Sequence, residues 1–164
     1  MVHAAARSRC RLVASEERMA RFFTLLQAQQ ALPAVEKLLR DALYFRSEHQ
    51  QAQEQLQAIS RQITLMGGTR VDPERIGGLQ STVESSIKSL ERAIEDIQES
   101  GCLVKDLDIG LIDFPTLYHG REVYLCWQFG EPGIQYWHSI EEGFRGRKSI
   151  DQEFIANHGE SVTS

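Results

Sequence analysis

The chain has no CxxC pair, which removes the common structural zinc modules. Its three cysteines, Cys10, Cys102 and Cys126, are too few and too scattered for a disulfide framework. Their odd number favours a reducing cytoplasm. No apolar run approaches the ~20 residues of a membrane helix. The arginine- and alanine-rich start, Met1 to Arg11, lacks the apolar core of a secretory signal. P-loop, GxGxxG, HExxH and GxSxG motifs are all missing, which counts against the common nucleotide-binding enzymes and hydrolases. Positive charge is scarce outside the first residues. The net charge is −5; residues 1–21 carry five Arg and two Glu, or +3, and the rest carries −8. So acidic a body is a poor partner for nucleic acid, and only Arg145, Arg147 and Lys148 form a second basic cluster.

What the chain does have is a long apolar seam. Val35, Leu38, Ala42, Phe45, His49, Ala52, Leu56, Ile59, Ile63 and Met66 recur at steps of three and four. Ile76, Leu79, Val83, Ile87, Leu90, Ile94 and Ile97 do the same in the next segment. A period of about 3.5 is the mark of helices wound around each other. The polar, glycine-rich break between the runs predicts an antiparallel hairpin. With Met66 and Asp72 flanking the turn, Leu56 faces Val83, Ala52 faces Ile87, and His49 lies near Leu90. His49 then reads as a hydrogen-bonded polar residue that fixes register.

Local signals set the ends. Thr24 and Gln27 form a capping box at a helix start. Pro33 should kink or restart that helix. Asp72 caps the second helix, with Pro73 at its first position. Gly77-Gly78 either allows close helix approach or marks a late start near Leu79. Gly101 closes the helix. The periodicity then changes to two, predicting strands over Asp108–Pro115, Glu122–Phe129 and Ile134–Ser139. The fold expected is α+β: a long two-helix coiled-coil hairpin followed by a small three-stranded antiparallel sheet. Its parts are a basic disordered tail (1–21), a helical hairpin arm (22–101), a small β domain (102–150) and a loose polar tail (151–164).

The β segment is dense in motif residues. Thr24 and Leu32-Pro33 open a pattern that continues with Gly110-Leu111-Ile112-Asp113-Phe114-Pro115 and Gly120-Arg121-Glu122-Val123-Tyr124-Leu125-Cys126-Trp127. Gly130-Glu131, Tyr136-Trp137-His138 and Gly143-Phe144-Arg145-Gly146-Arg147 complete it. This resembles the prokaryotic family of domain of unknown function 2203, some members of which carry the label "division initiation related". The resemblance covers roughly residues 22–150. It implies a family identity, and the label implies no mechanism.

Candidate chemistry lies in the same segment. A two- or four-residue hairpin loop around Pro132-Gly133 places Leu125, Trp127 and His138 on one sheet face. Tyr124, Cys126, Gln128 and Trp137 fall on the other. On that parity Cys126 is a packing residue and shares no metal with His138. Asp113, Glu131 and His138 are the candidate ligand or acid–base set, and the candidates for any metal. The plainer alternatives are a core histidine, a turn-capping Asp113 and a solvent-exposed Glu131. Arg145 and Arg147 could clamp a phosphate or carboxylate, or pair with Asp106, Asp108 or Glu122. No cofactor class is singled out.

Two functional readings follow. The first is a cytoplasmic interaction or scaffold protein that forms a homodimer through its hairpin and presents a recognition surface on the sheet. The second is a metal- or small-anion-binding enzyme with its site where sheet meets hairpin. Membrane and nucleic-acid partners are not expected.

Overall fold

The computed structural model describes residues 21–68 and 70–159. The basic tail expected over 1–21, all but its last residue, and the final residues 160–164 lie outside the described residues. Helix α1 runs from Leu25 to Met66 and helix α2 from Pro73 to Glu99. The capping box at Thr24 forms: Gln27 N–H donates to Thr24 Oγ1 at 3.2 Å, and Thr24 N–H donates to Gln27 Oε1 at 3.0 Å. Gly67, at φ 64°, ends α1 in the left-handed region that favours glycine. At α2, Asp72 Oδ1 accepts from Glu74 N–H at 3.0 Å.

Three local expectations are corrected. The helix does not restart at Pro33: of the two outcomes expected there, a kink or a restart, the restart is excluded, because α1 continues through Pro33 as one helix. The contacts of Leu32 and Val35, both buried in the core, outweigh the one hydrogen bond lost. Gly77 and Gly78 sit inside α2, and a methyl group added at either would meet nothing within 4 Å. They therefore mark neither a close approach nor a late start. The hairpin register also differs. His49 Nδ1–H donates to the Val83 carbonyl at 3.1 Å and lies 3.4 Å from Ser86 Oγ. His49 is thus a hydrogen-bonded seam residue, but it meets α2 about one turn before Leu90. The reason is that the last turn of α1 overhangs the hairpin: Leu65 and Met66 are 85% and 66% exposed.

The sheet has five strands, not three, in the order β1-β2-β3-β4-β5, all antiparallel. They are β1 Leu103–Asp106, β2 Leu111–Tyr118, β3 Arg121–Gln128, β4 Tyr136–Ser139 and β5 Lys148–Ser149. The two extra strands are edge strands of four and two residues, too short to show a period. Ile112, Phe114, Val123, Leu125 and Trp127 form one face of β2 and β3. They are buried in one cluster with Phe23, Ala28, Leu32, Val35 and Leu39, and with Ile97 of α2. The base of the hairpin is therefore part of the sheet's core, and only the distal arm stands free of it.

Residues 151–159 do not form a loose tail. Helix α3, Gln152–Asn157, starts on Asp151, whose Oδ1 accepts from Phe154 N–H at 2.8 Å. Phe154 is buried and stacks on Tyr118, Trp137 and His158. The strap is closed by backbone bonds from His119 N–H to Asn157 O and from Gly159 N–H to Leu117 O. His158 Nε2 accepts the Leu25 N–H at 3.0 Å, so the strap also supplies a partner to the free N-terminus of α1. Among the described residues no helix is long and apolar enough to cross a membrane.

Candidate functional site

Side chains at alternate positions point to the sheet face away from the helices. On β2 this brings up Asp113, and on β3 Cys126, its directly paired partner. On β4 it brings up His138, paired with Tyr124 and one step diagonal from Cys126. The parity expected from the Pro132-Gly133 turn is therefore wrong. The connection between β3 and β4 runs from Phe129 to Gln135, an odd number of residues, and a one-residue change of register turns every side chain over. His138 shares its face with Cys126, while Trp137 lies on the helix face opposite Leu125. Trp127 and His138 are on opposite faces.

The odd connection has a visible cause. Glu131 folds back on the end of β3. Its Oε2 accepts from Gln128 N–H at 2.8 Å, and its carbonyl accepts from Trp127 Nε1–H at 3.1 Å. Arg147 Nη2 donates to the same Oε2 at 2.7 Å and to the Cys126 carbonyl at 3.3 Å. The guanidinium lies 4.2 Å from the Tyr136 ring centre and 4.9 Å from that of Phe144. Glu131 thus neither faces solvent freely nor reaches His138; it clamps the connection. Arg147 is committed to Glu131 and not to Asp106, Asp108 or Glu122. Arg145 is exposed.

Asp113 and His138 do meet. His138 Nε2 is 3.1 Å from Asp113 Oδ2. Its Nδ1 is 2.8 Å from the Ser139 carbonyl, which can only accept, so Nδ1 carries the proton and Nε2 is turned toward the carboxylate. One ligand atom each from Asp113, Cys126 and His138 lies within 4.8 Å of the others. All three residues are 0–2% exposed. The Tyr124 ring stands edge-on to His138 at 5.7 Å, and Lys105 Nζ lies 4.8 Å over Tyr124. Asp113 Oδ1 is buried without a hydrogen-bond partner.

Burial dominates the electrostatics. It raises the Asp113 pKa, against the opposing pull of His138 and, more weakly, of the Cys126 thiol and Lys105. Burial and the Asp113 charge push the Cys126 thiol up to about 12. A protonated, enclosed thiol is a weak nucleophile. The donor types of the trio suit holding an ion or a proton.

Residues 21–150 match the model of a family described as uncharacterized conserved protein (DUF2203). The chain belongs to that family. The match runs from the start of the described residues through β5 and includes Asp113, Cys126, Glu131, His138 and Arg147. It stops before α3. No curated protein and no solved structure matches the chain.

Of the residues singled out in the sequence, Asp113 and His138 come together, whereas Glu131 and Arg147 form a separate clamp. Cys126, a packing residue on the expected parity, joins Asp113 and His138. The signal that could have restored it was the Gly130-Glu131 pair. A carboxylate immediately after a left-handed glycine (φ 97° at Gly130) can close a wider loop than Pro132-Gly133 alone suggests.

Proposed function

We propose that this chain is a non-enzymatic, cytoplasmic interaction protein that acts as a homodimer of hairpins. The observation that carries the reading is the unfinished burial of the distal arm. Leu56, Ile59, Ile63, Ile76, Leu79 and Val83 follow the seam, yet each is only half-buried in the single chain. Leu26, Tyr44, Leu65 and Met66 are exposed outright. Two helices cannot enclose an apolar seam of this length, whereas four can. A second copy packed antiparallel is the occupant that also fits the charge. Arg61, Arg70 and Arg75 against Asp72 and Glu74 leave the hairpin tip slightly positive, and Glu91, Glu95, Asp96 and Glu99 against Lys88 and Arg92 leave the base of α2 negative. A two-fold axis across the arm brings each tip beside the other copy's base. The sheet end then stays free, and the exposed Ile140, Phe144 and Arg145 form its recognition surface.

The enclosure of Asp113, Cys126 and His138 favours this reading over an enzyme, because a substrate has no access to them in the folded chain. Sedimentation equilibrium at micromolar concentration tests it. The expected result is a dimer that weakens with salt. Leu65→Asp combined with Met66→Asp, both exposed in the single chain, should weaken it more than tenfold without lowering helicity. A native protein that stays monomeric overturns the proposal.

A further inference from the structure

We propose that Asp113, Cys126 and His138 bind one zinc ion that staples β2, β3 and β4 together on the sheet face away from the helices. This goes beyond the dimer reading and does not depend on it.

The donor set is the first argument. A carboxylate, a thiol and an imidazole converge from three adjacent strands. Nitrogen, sulfur and carboxylate oxygen together form the ligand chemistry of zinc. Separation is the second. The 3.1 Å between His138 Nε2 and Asp113 Oδ2 is close to the ~3.3 Å edge of a tetrahedron with bonds near 2.0–2.1 Å. The sulfur lies within 4.8 Å and needs to close in by about 1 Å, a side-chain adjustment.

The third argument is the unpartnered carboxylate oxygen. Asp113 is 1% exposed, and its Oδ1 has no well-formed hydrogen bond, only the weak pull of the neighbouring Cys126 thiol on the carboxyl group. A buried acceptor left that way is costly, and an ion at the cluster would use it. The three side chains supply three of the four positions of a tetrahedral zinc ion and leave the fourth to a solvent molecule, for which Asp113 Oδ1 is a ready acceptor.

The surroundings already hold the ligands in place. The Ser139 carbonyl accepts from His138 Nδ1–H and leaves Nε2 for the ion, the usual outer-shell arrangement. Arg147 holds the Cys126 carbonyl and is itself fixed by Glu131. The balance of charge also fits an enclosed place. Zinc carries two positive charges, and the Asp113 carboxylate and the Cys126 thiolate carry two negative ones. Binding sends the thiol proton, and any proton held between Asp113 and His138, to solvent. The site closes with the sheet, so the ion should enter as the chain folds.

The test uses the full untagged chain, unfolded and refolded with zinc or, in parallel, with cobalt, then dialysed. The expected result is about one ion per chain, with the thiolate-to-cobalt absorption and the tetrahedral visible bands of a sulfur-ligated cobalt centre. Refolding with zinc should also raise Tm by at least about 4 °C over the chain refolded with chelator. Cys126→Ser should lose the thiolate band, whereas Cys10→Ser should keep it. If Cys126→Ser does not refold, Asp113→Asn should lower ion affinity at least tenfold. A wild-type chain that refolds to native helicity without retaining zinc overturns the proposal. So does a cobalt spectrum lacking the thiolate band, or a Cys126→Ser chain that binds as well as wild type.

Discussion

Replacing Phe154 with Ala tests whether the polar C-terminal segment is part of the folded body. Phe154 is 1% exposed, and its ring lies 5.0 Å from Tyr118, 4.9 Å from Trp137 and 5.4 Å from His158, nearly parallel to each. Truncating a fully buried Phe to Ala costs about 3–5 kcal/mol. Here the loss has a ceiling. Residues 151–159 can let go of the sheet while the rest stays folded, so the global cost cannot exceed the free energy of docking the strap. That docking includes the His119–Asn157 and Gly159–Leu117 backbone bonds and the Leu25–His158 contact. These are worth about 0.5–1.5 kcal/mol each, beside the burial of the ring. We expect a loss of about 3 kcal/mol in urea unfolding with an unchanged m-value. Faster cleavage after Glu153 by a Glu-specific protease should accompany it, at denaturant concentrations where the sheet remains folded. A loss below about 1 kcal/mol, with no change in cleavage, would show that the segment is the loose tail its composition suggests.

Gly77→Ala and Gly78→Ala should each stabilise the chain by about 0.5–1 kcal/mol, because both sit inside α2 with nothing within 4 Å of an added methyl group; thermal melts check this, and destabilisation by either would mean a contact on that face. In a Cys10→Ser chain, a thiol reagent should modify Cys102 and Cys126 only at the rate of unfolding, since both are buried and burial raises both pKa values, Cys126 to about 12; fast labelling of native protein counts against the enclosed site. Arg147→Ala should cost about 3 kcal/mol, as it leaves Glu131 without its ion-pair partner at the closed end of β3, and Arg147→Lys should restore only part of it because an ammonium does not stack as a plane on Tyr136 and Phe144; full recovery with Lys would refute the role given to the guanidinium. Glu142 has its pKa lowered by its hydrogen bonds with Lys148 and Ser139, so its contribution is present above its ordinary value of 4.5 and is lost as pH falls through the lower native value. Glu142→Gln should therefore flatten the acid side of the stability–pH profile, and an unchanged profile would refute the pairing.

What the sequence determined by itself is whatever depends on near neighbours in the chain. The capping box at Thr24, the Asp72-Pro73 start, the glycine stop at Gly67 and the switch of periodicity from 3.5 to two are all local. The caps and the stop appear in the structure where the residues placed them, whereas the first strand begins at Leu103 and the strand expected over Asp108–Pro115 runs from Leu111 to Tyr118. The family was legible too, because its motifs are contiguous runs. Tertiary structure decided the quantities that depend on the distance between runs. The overhang of α1 shifted the hairpin by about one turn, and a helix pattern alone carries no information about where its partner starts. Pro33 was tolerated because packing at Leu32 and Val35 outweighs a single hydrogen bond. The polar residues 151–159 gained order from one buried ring and a few backbone bonds, none visible as a period. Most consequential was the connection after β3. Local turn chemistry favoured an even loop, but Glu131, held by Arg147 from sixteen residues away, closed an odd one. That single residue of register placed His138 beside Cys126 and Asp113 instead of beside Trp127, because side chains in a strand have only two faces and every slip of one exchanges them.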